Sequence, residues 1–248
     1  MSAAFDPDGH NVPDDLVIFD LDDTLLDTSR GLRAARRRIL ETAFPGCERG
    51  QLVRAAVAWR ATTLLYGDDR LHELLGVVAM VADLPLDRSL DWEGLRADYR
   101  RWQVGLTRPR TPVLLAARAL KADGKGLAIV SNGEAGHQWE KIRRTGLDSL
   151  ADAELIVVCD GRTLPLKPSP VAIHQVIRAA AARRAVLVGD RMTDVVAARL
   201  AGIPVVQIRS RGAEVERGVP LRRLTKPDIL ADSAGCYDAV TRVLDGRT

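Results

Sequence analysis

The apolar positions of this chain follow two patterns. Short unbroken runs stand at Leu16–Phe19, Gly126–Val130, Glu154–Val158, Ala185–Val188 and Pro204–Ile208, with a weaker one at Pro227–Leu230. They alternate little with polar residues and are rich in β-branched side chains, which is the pattern of strands buried on both faces of a parallel sheet. Between them the apolar period becomes helical. Pro112–Ala122 sets Val113, Ala116, Ala117 and Leu120 on one face, and Ser169–Ala181 sets Val171, Ile173, Val176, Ile177 and Ala180 on another. Thr193–Ala201 forms a third helix that Gly202 stops. The alternation predicts an α/β fold with a doubly wound parallel sheet.

Residues 29–108 break this pattern. They hold no convincing strand, and helical windows at 29–43, 49–66, 68–82 and 91–105 are separated by Pro45-Gly46, Gly67-Asp68 and Leu84-Pro85. The expected organisation is a polar leader at 1–14, an α/β core from 15–28 and 109–248, and an inserted all-helical domain at 29–108.

Ligands of open parallel sheets bind beyond the carboxyl ends of the strands. After the first run comes Asp20-Leu21-Asp22-Asp23-Thr24. If the backbone stays extended, Asp20 and Asp22 point to one side, and two close carboxylates call for a cation or a shared proton. A solvated turn explains one such Asp but not three. After the second run come Ser131, Asn132 and Gly133, which can present donors to an anion and also make an ordinary turn. Lys167 precedes a proline-started helix at Pro168-Ser169-Pro170. After the fourth run, Asp190 and Asp194 are four apart and share a face of the opening helical turn, which suits a hard cation. Each signal is weak alone. In this order behind successive strands they supply acids for a nucleophile and a proton shuttle, acids for Mg²⁺, and donors for phosphate oxygens, the set that metal-assisted phosphoryl transfer needs.

Composition narrows the classes. The 248 residues are 46% hydrophobic and 28% charged, which is ordinary for a globular chain. Lys+Arg exceed Asp+Glu by only three, 36 against 33, so a basic nucleic-acid-coating protein is not expected. The charge is uneven, since residues 29–108 carry fourteen Arg and no Lys against ten acids. Cys47, Cys159 and Cys236 are far apart and form no CxxC pair, so neither a disulfide framework nor a zinc site is suggested. The most apolar stretch, Leu74–Ala82, is half of what a bilayer needs. The opening MSAAFDPDGHNVPDD lacks the basic and apolar regions of a signal peptide. A cytoplasmic protein with no membrane or nucleic-acid partner is the expectation.

The sequence resembles the haloacid dehalogenase-like (HAD) hydrolase superfamily. FDLDDTL at 19–25 is similar to that family's DxDxT motif, Ser131 to its second motif, Lys167 to its third, and GDRMTD at 189–194 to its GDxxxD motif. GHQWEKIRRTGL at 136–147 and AGIPVV at 201–206 extend the likeness over nearly the whole chain. The resemblance implies a Rossmann-like core, a helical cap of the first type at 29–108, and no room for a larger second cap between Ser131 and Lys167. It implies Asp20 as nucleophile, Asp22 as acid and then base, Thr24 as support for their loop, and Ser131 and Lys167 as partners of the phosphoryl group. Mg²⁺ would be held by Asp20, the Asp22 carbonyl and Asp190, with Asp194 bound through water or behind the ligands. An acid at position 22 favours phosphate-ester hydrolysis over carbon–halogen cleavage, because the dehalogenase branch lacks it. Two departures are the segment Gly161–Leu166 before Lys167, which lacks the usual Gly-x-x-Lys-Pro spacing, and Arg191-Met192, bulkier than the family's usual Ser.

The expected activity is hydrolysis of a small phosphorylated metabolite, with a phosphomutase or a receiver-like phosphate-binding module as alternatives. Asn132, Gly133 and Arg60, the last inside the otherwise apolar helix AAVAWRATTLL, are candidate substrate contacts. Asp160 is a weaker candidate for lining the site, and His137 a surface residue. Trp59, Tyr66, Trp92, Tyr99 and Trp102 are expected to be core of the helical insert. A homodimer through the cap is an open arrangement, and hinges are expected near Gly31 and Thr107–Pro112.

Overall fold

The computed structural model describes residues 13–66, 70–87, 89–209 and 225–247. Of the expected leader, all but Pro13 and Asp14 lies outside the described residues. The chain divides into two compact units, one running to Asp27 and resuming at Arg108, the other spanning Thr28–Thr107.

The first unit holds a six-stranded parallel sheet. Its strands are β1 (Asp15–Phe19), β4 (Gly126–Asn132), β5 (Ile156–Cys159), β6 (Arg184–Gly189), β7 (Val205–Ile208) and β8 (Ile229–Ala231), in the order β5-β4-β1-β6-β7-β8. β1 pairs with β4 from Leu16↔Gly126 to Phe19↔Ile129, and with β6 from Asp15↔Arg184 to Phe19↔Val188. Leu16, Val17, Ile18 and Phe19 are wholly buried, which contributes roughly 6–12 kcal/mol relative to exposure. The unbroken apolar run is thus the central strand, covered on both faces. The helices α5 (Thr111–Ala122), α6 (Ala135–Thr145), α7 (Val171–Ala179), α8 (Met192–Ala201) and α9 (Cys236–Leu244) flank the sheet. Gly146 and Gly202 adopt the left-handed conformation that ends α6 and α8.

The strand order sets the site. From β1 the chain moves outward on one side to β4 and β5, then returns to β6 on the other side and continues to β7 and β8. The winding reverses around β1, so the crevice beyond its carboxyl end is flanked by the ends of β4 and β6. At the opposite end, the buried Asp15 carboxylate accepts from Lys125 Nζ at 2.6 Å and from Arg184 Nε at 2.6 Å. Burial raises the Asp15 carboxyl, but these two cations outweigh it and hold the group below its ordinary value.

The structure departs from the sequence pattern in several places. A two-residue antiparallel pair, β2 (Leu26–Asp27) with β3 (Arg108–Pro109), brackets the helical segment in sequence and is too short to leave a periodic signal. β5 starts at Ile156 because Ala153–Leu155 forms a 3₁₀ turn. α9 escaped the periodic reading, although Cys236, Ala239, Val240, Val243 and Leu244 make a clear buried face. Cys47, Cys159 and Cys236 are free thiols.

The second unit is helical: α1 (Thr28–Ala43), α2 (Arg49–Tyr66), α3 (Leu71–Ala82) and α4 (Trp92–Leu106). Its core includes Ile39, Phe44, Trp59, Leu74, Leu75 and Tyr99, and the Trp59 and Tyr99 rings lie 5.7 Å apart. Trp92 and Trp102 pack against this core. Tyr66 ends α2, and its side chain lies outside the described set. A Cβ at Gly31 would stand 3.0 Å from the Leu106 and Thr107 main chain, so α1 approaches the end of α4 closely there.

Candidate active site

β1 ends at Phe19, and the next residue delivers the first acid. The Asp20 N–H donates to the Val188 carbonyl at 2.8 Å, which keeps the chain beside β6 for one more residue. The Asp20 carboxylate is buried, with Oδ1 2.6 Å from Lys167 Nζ. The chain then turns, and Asp23 takes a left-handed φ of 58°, a conformation that Asp tolerates better than most residues. Thr24 is fully buried in this loop, and its hydroxyl has no hydrogen-bond partner.

β6 delivers the second acid group. Gly189 closes the strand, and a Cβ there would lie 2.5 Å from Cβ and Cγ of Asp194. Glycine is therefore required for α8 to approach the strand end. Asp194 sits in the first turn of α8, where Oδ2 accepts from the Arg191 N–H at 3.0 Å. Its Oδ1 lies 2.7 Å from Lys167 Nζ. The Asp190 carbonyl accepts from Gln207 Nε2 at 3.0 Å, which fixes the loop between these acids to β7.

Lys167 joins the two sides. Its ammonium donates to Asp20 Oδ1 and to the Val130 carbonyl, the latter at 2.8 Å, and forms an ion pair with Asp194. Burial lowers the Lys167 value, and Asp194 and Asp20 raise it by more, so the ammonium stays charged. The main chain of Lys167 is fixed as well. Its N–H donates to Asn132 Oδ1 at 2.8 Å, and its carbonyl accepts from Asn132 Nδ2 at 3.0 Å. The Asn132 amide thus acts like an extra strand residue clamping the lysine loop to β4. Asn132 is expected from sequence to contact substrate; in the structure both ends of its amide are taken by Lys167.

Asp20, Asp190 and Asp194 each offer an oxygen, and these oxygens lie within 4.8 Å of one another. All three residues are buried. Burial raises the Asp20 carboxyl; Lys167 opposes this, and Asp194 and Asp190 push it higher. Three acids around one lysine leave a negative excess in a poorly solvated site, and the donor set is all oxygen. Such residues fit a hard divalent cation of the Mg²⁺ or Ca²⁺ type. The Asp22 carboxylate is outside this triad. It faces α6, where Lys141 Nζ lies 2.9 Å from Oδ1 and 3.1 Å from Oδ2, and Gln138 Nε2 lies 2.8 Å from Oδ2. Burial raises the Asp22 carboxyl, but Lys141 and Gln138 outweigh it and lower the group below its ordinary value. The same Gln138 amide donates to Ser131 Oγ at 2.7 Å.

Gln138 and Lys141 carry no assigned role in the sequence reading. The available signal was two polar residues one helical turn apart on the face of α6 that also carries Ile142, all three buried. Gly133, with φ of 150°, lies against Gln138: a Cβ there would fall 2.9 Å from its side chain. Arg191 is exposed; partial burial of its head group lowers its value, and Asp190, Asp20, Asp23 and Asp22 raise it by more. It adds a lasting positive charge among the acids. Asp160 does not join the site. Its Oδ1 accepts from the N–H groups of Arg162, Thr163 and Leu164, which cap the following turn and pull its carboxyl down to about 2. Arg60 belongs to the helical unit, exposed on α2.

A family model described as haloacid dehalogenase-like hydrolase matches residues 15–202. The glyceraldehyde 3-phosphate phosphatase of Methanothermobacter thermautotrophicus is 27% identical over 210 residues, covering 81% of this chain and 88% of that protein. A HAD-family hydrolase from Deinococcus radiodurans, solved with phosphate and sodium, shares the fold with a TM-score of 0.69 at 22% identity, covering 96% of this chain and 97% of that one. A provisionally named beta-phosphoglucomutase from Thermotoga maritima gives a TM-score of 0.68 at 20% identity, covering 92% of this chain and 99% of that one. Among the described residues, no helix is long and apolar enough to cross a membrane.

Proposed function

We propose that this chain, which belongs to the haloacid dehalogenase-like hydrolase family, is a phosphatase like the curated relatives it matches and hydrolyses a small phosphate monoester through a phosphorylated Asp20, with Mg²⁺ as cofactor. The observation that carries this reading is Lys167 held between Asp20 and Asp194 at the switch point of the sheet, with Asp190 beside them.

The chemistry has two steps. An Asp20 carboxylate oxygen attacks phosphorus as the bond to the leaving oxygen breaks, and Asp22, which first takes up a proton from water at its accessible face, passes that proton to the leaving oxygen. Water then attacks the aspartyl phosphate and loses its proton to Asp22. The bond between phosphorus and Asp20 breaks, releasing inorganic phosphate and restoring both side chains. A carboxylate nucleophile divides one difficult displacement into two easier ones. Lys167 and Ser131 neutralise the equatorial phosphoryl oxygens, and losing one such donor costs on the order of 10²–10³ in rate. Asp20 and Asp190 would hold Mg²⁺ with the Asp22 carbonyl, and Asp194 would anchor Lys167 behind them. When bound, the ion supplies positive charge that offsets the acids and polarises the phosphoryl group.

The relative's name makes phosphorylated three-carbon aldehydes the first substrates to assay. The test is phosphate release from a panel of triose, sugar and nucleotide phosphates and phosphoglycolate, with Mg²⁺ or with chelator, by wild type and Asp20→Asn. Release that needs both the metal and Asp20 supports the reading. Release that survives either loss contradicts it, and a sugar-phosphate isomer formed without free phosphate points to a mutase.

A further inference from the structure

We propose that Gln138 and Lys141 are positioning residues that aim the Asp22 carboxylate at the leaving oxygen and couple it to the phosphoryl-binding Ser131. The inference rests on the phosphatase reading above and goes beyond it to two residues on a helix that bears none of the strand-end acids.

The two side chains form one bracket. Lys141 Nζ spans both oxygens of Asp22, at 2.9 and 3.1 Å. Gln138 Nε2 reaches Asp22 Oδ2 at 2.8 Å, Ser131 Oγ at 2.7 Å and the Asn132 carbonyl at 2.9 Å. Three acceptors around that atom fix which end of the amide is nitrogen. Gln138 and Lys141 are themselves 1% and 7% exposed, and burying an amide and an ammonium is costly, the more so because Gln138 Oε1 is buried without a hydrogen-bond partner. A helix face serving only as packing would be apolar there. The Asp22 side chain keeps 24% of its surface accessible although both oxygens are anchored. One face is held and the other remains open, as a group that passes a proton to an incoming ligand requires. Ser131 and Asp22 come from different strand ends, and the single amide of Gln138 sets their spacing. The first turn of α6 is fixed in its own right, because the Glu134 side chain accepts from the N–H groups of Gly136 and His137 at 2.9 Å.

The test uses the full chain with Mg²⁺ and a series of substituted phenyl phosphates, from nitro to methoxy. A nitrophenolate leaves with little need of a proton, whereas a methoxyphenolate needs one. Lys141→Met and Gln138→Leu should steepen the dependence of kcat/KM on leaving-group basicity. The poorest leaving group should lose on the order of 10–100-fold, part of what a general acid supplies. p-Nitrophenyl phosphate should lose less than about threefold, and Lys141→Arg should keep the wild-type slope. Crystal structures should show the Asp22 carboxylate moved in both variants, with Ser131 Oγ in place in Lys141→Met and displaced in Gln138→Leu. Equal losses on every ester, or an Asp22 carboxylate that stays put, overturn the inference and leave the phosphatase reading standing. A wild-type protein inactive on the whole series overturns the phosphatase reading and this inference with it.

Discussion

Replacing Asp190 with Asn should make the metal-free protein more stable while impairing its response to metal. One oxygen each of Asp20, Asp190 and Asp194 lies within 4.8 Å of the others. Unit charges at that separation repel by about 3–4 kcal/mol at an effective dielectric of about 20. Lys167 compensates the pair Asp20 and Asp194 directly, at 2.6 and 2.7 Å, and is 4% exposed. Arg191 offsets part of the Asp190 charge, and Asn keeps the side chain's shape without that charge. Lys167 and Arg191 already offset part of the repulsion, so the net gain should be about 1–3 kcal/mol, or a rise in melting temperature of about 2–10 °C for a chain of this size. With Mg²⁺ at about 100 times its dissociation constant, wild type should gain about 2.7 kcal/mol more, and the variant far less. The assay is thermal unfolding of both proteins in chelator and across an Mg²⁺ titration, with phosphate release measured in parallel. The opposite signs refute or support the reasoning together. A variant that melts below wild type in chelator, or that gains equally from Mg²⁺, would show that these acids neither repel nor share an ion.

Three further predictions follow from single contacts. Asn132→Leu removes both clamps on the Lys167 main chain, so kcat should fall about tenfold or more while a contact with the substrate body would raise KM instead; steady-state kinetics separate the two. Gly189→Ala drives a Cβ to 2.5 Å from Asp194, which should cost about 1–3 kcal/mol and weaken the Mg²⁺-induced rise in melting temperature. At the far end of the sheet, Asp15 is held below its ordinary value of 3.8. Its contribution is full above that value and is lost as pH falls through the lower folded-state value. Asp15→Asn should thus cost about 2 kcal/mol at neutral pH and flatten the acid limb of a stability–pH curve; an unchanged acid limb would contradict the pairing.

What could be read from the sequence divides along physical lines. β1, β4, β6 and β7 announce themselves because a strand covered on both faces needs an unbroken apolar run, and the strand-end rule then points to Asp20, Ser131 and Asp190 without any contact being known. α8 is legible through its stop at Gly202. Other features depend on tertiary position. Lys141 and Gln138 look like ordinary polar residues on a helix until α6 packs beside the Asp22 loop. Asn132 looks like a ligand donor because it follows Ser131, yet the nearby lysine loop consumes its amide. Asp160 obeys the strand-end rule and still serves only its own turn, since three backbone N–H groups reach it first. The β2–β3 pair is two residues long on each side and carries no periodicity to detect.

The central claim is that Asp20 carries the phosphoryl group with a divalent ion beside it. Rapid acid quenching of enzyme mixed with substrate, followed by mass spectrometry of the peptide spanning residues 15–30, tests it most directly. The account predicts a phosphoryl mass on Asp20 within the first turnover, present with Mg²⁺ and absent with chelator or in Asp20→Asn. Turnover with no such adduct at any quench time, or an adduct on another residue, would contradict it.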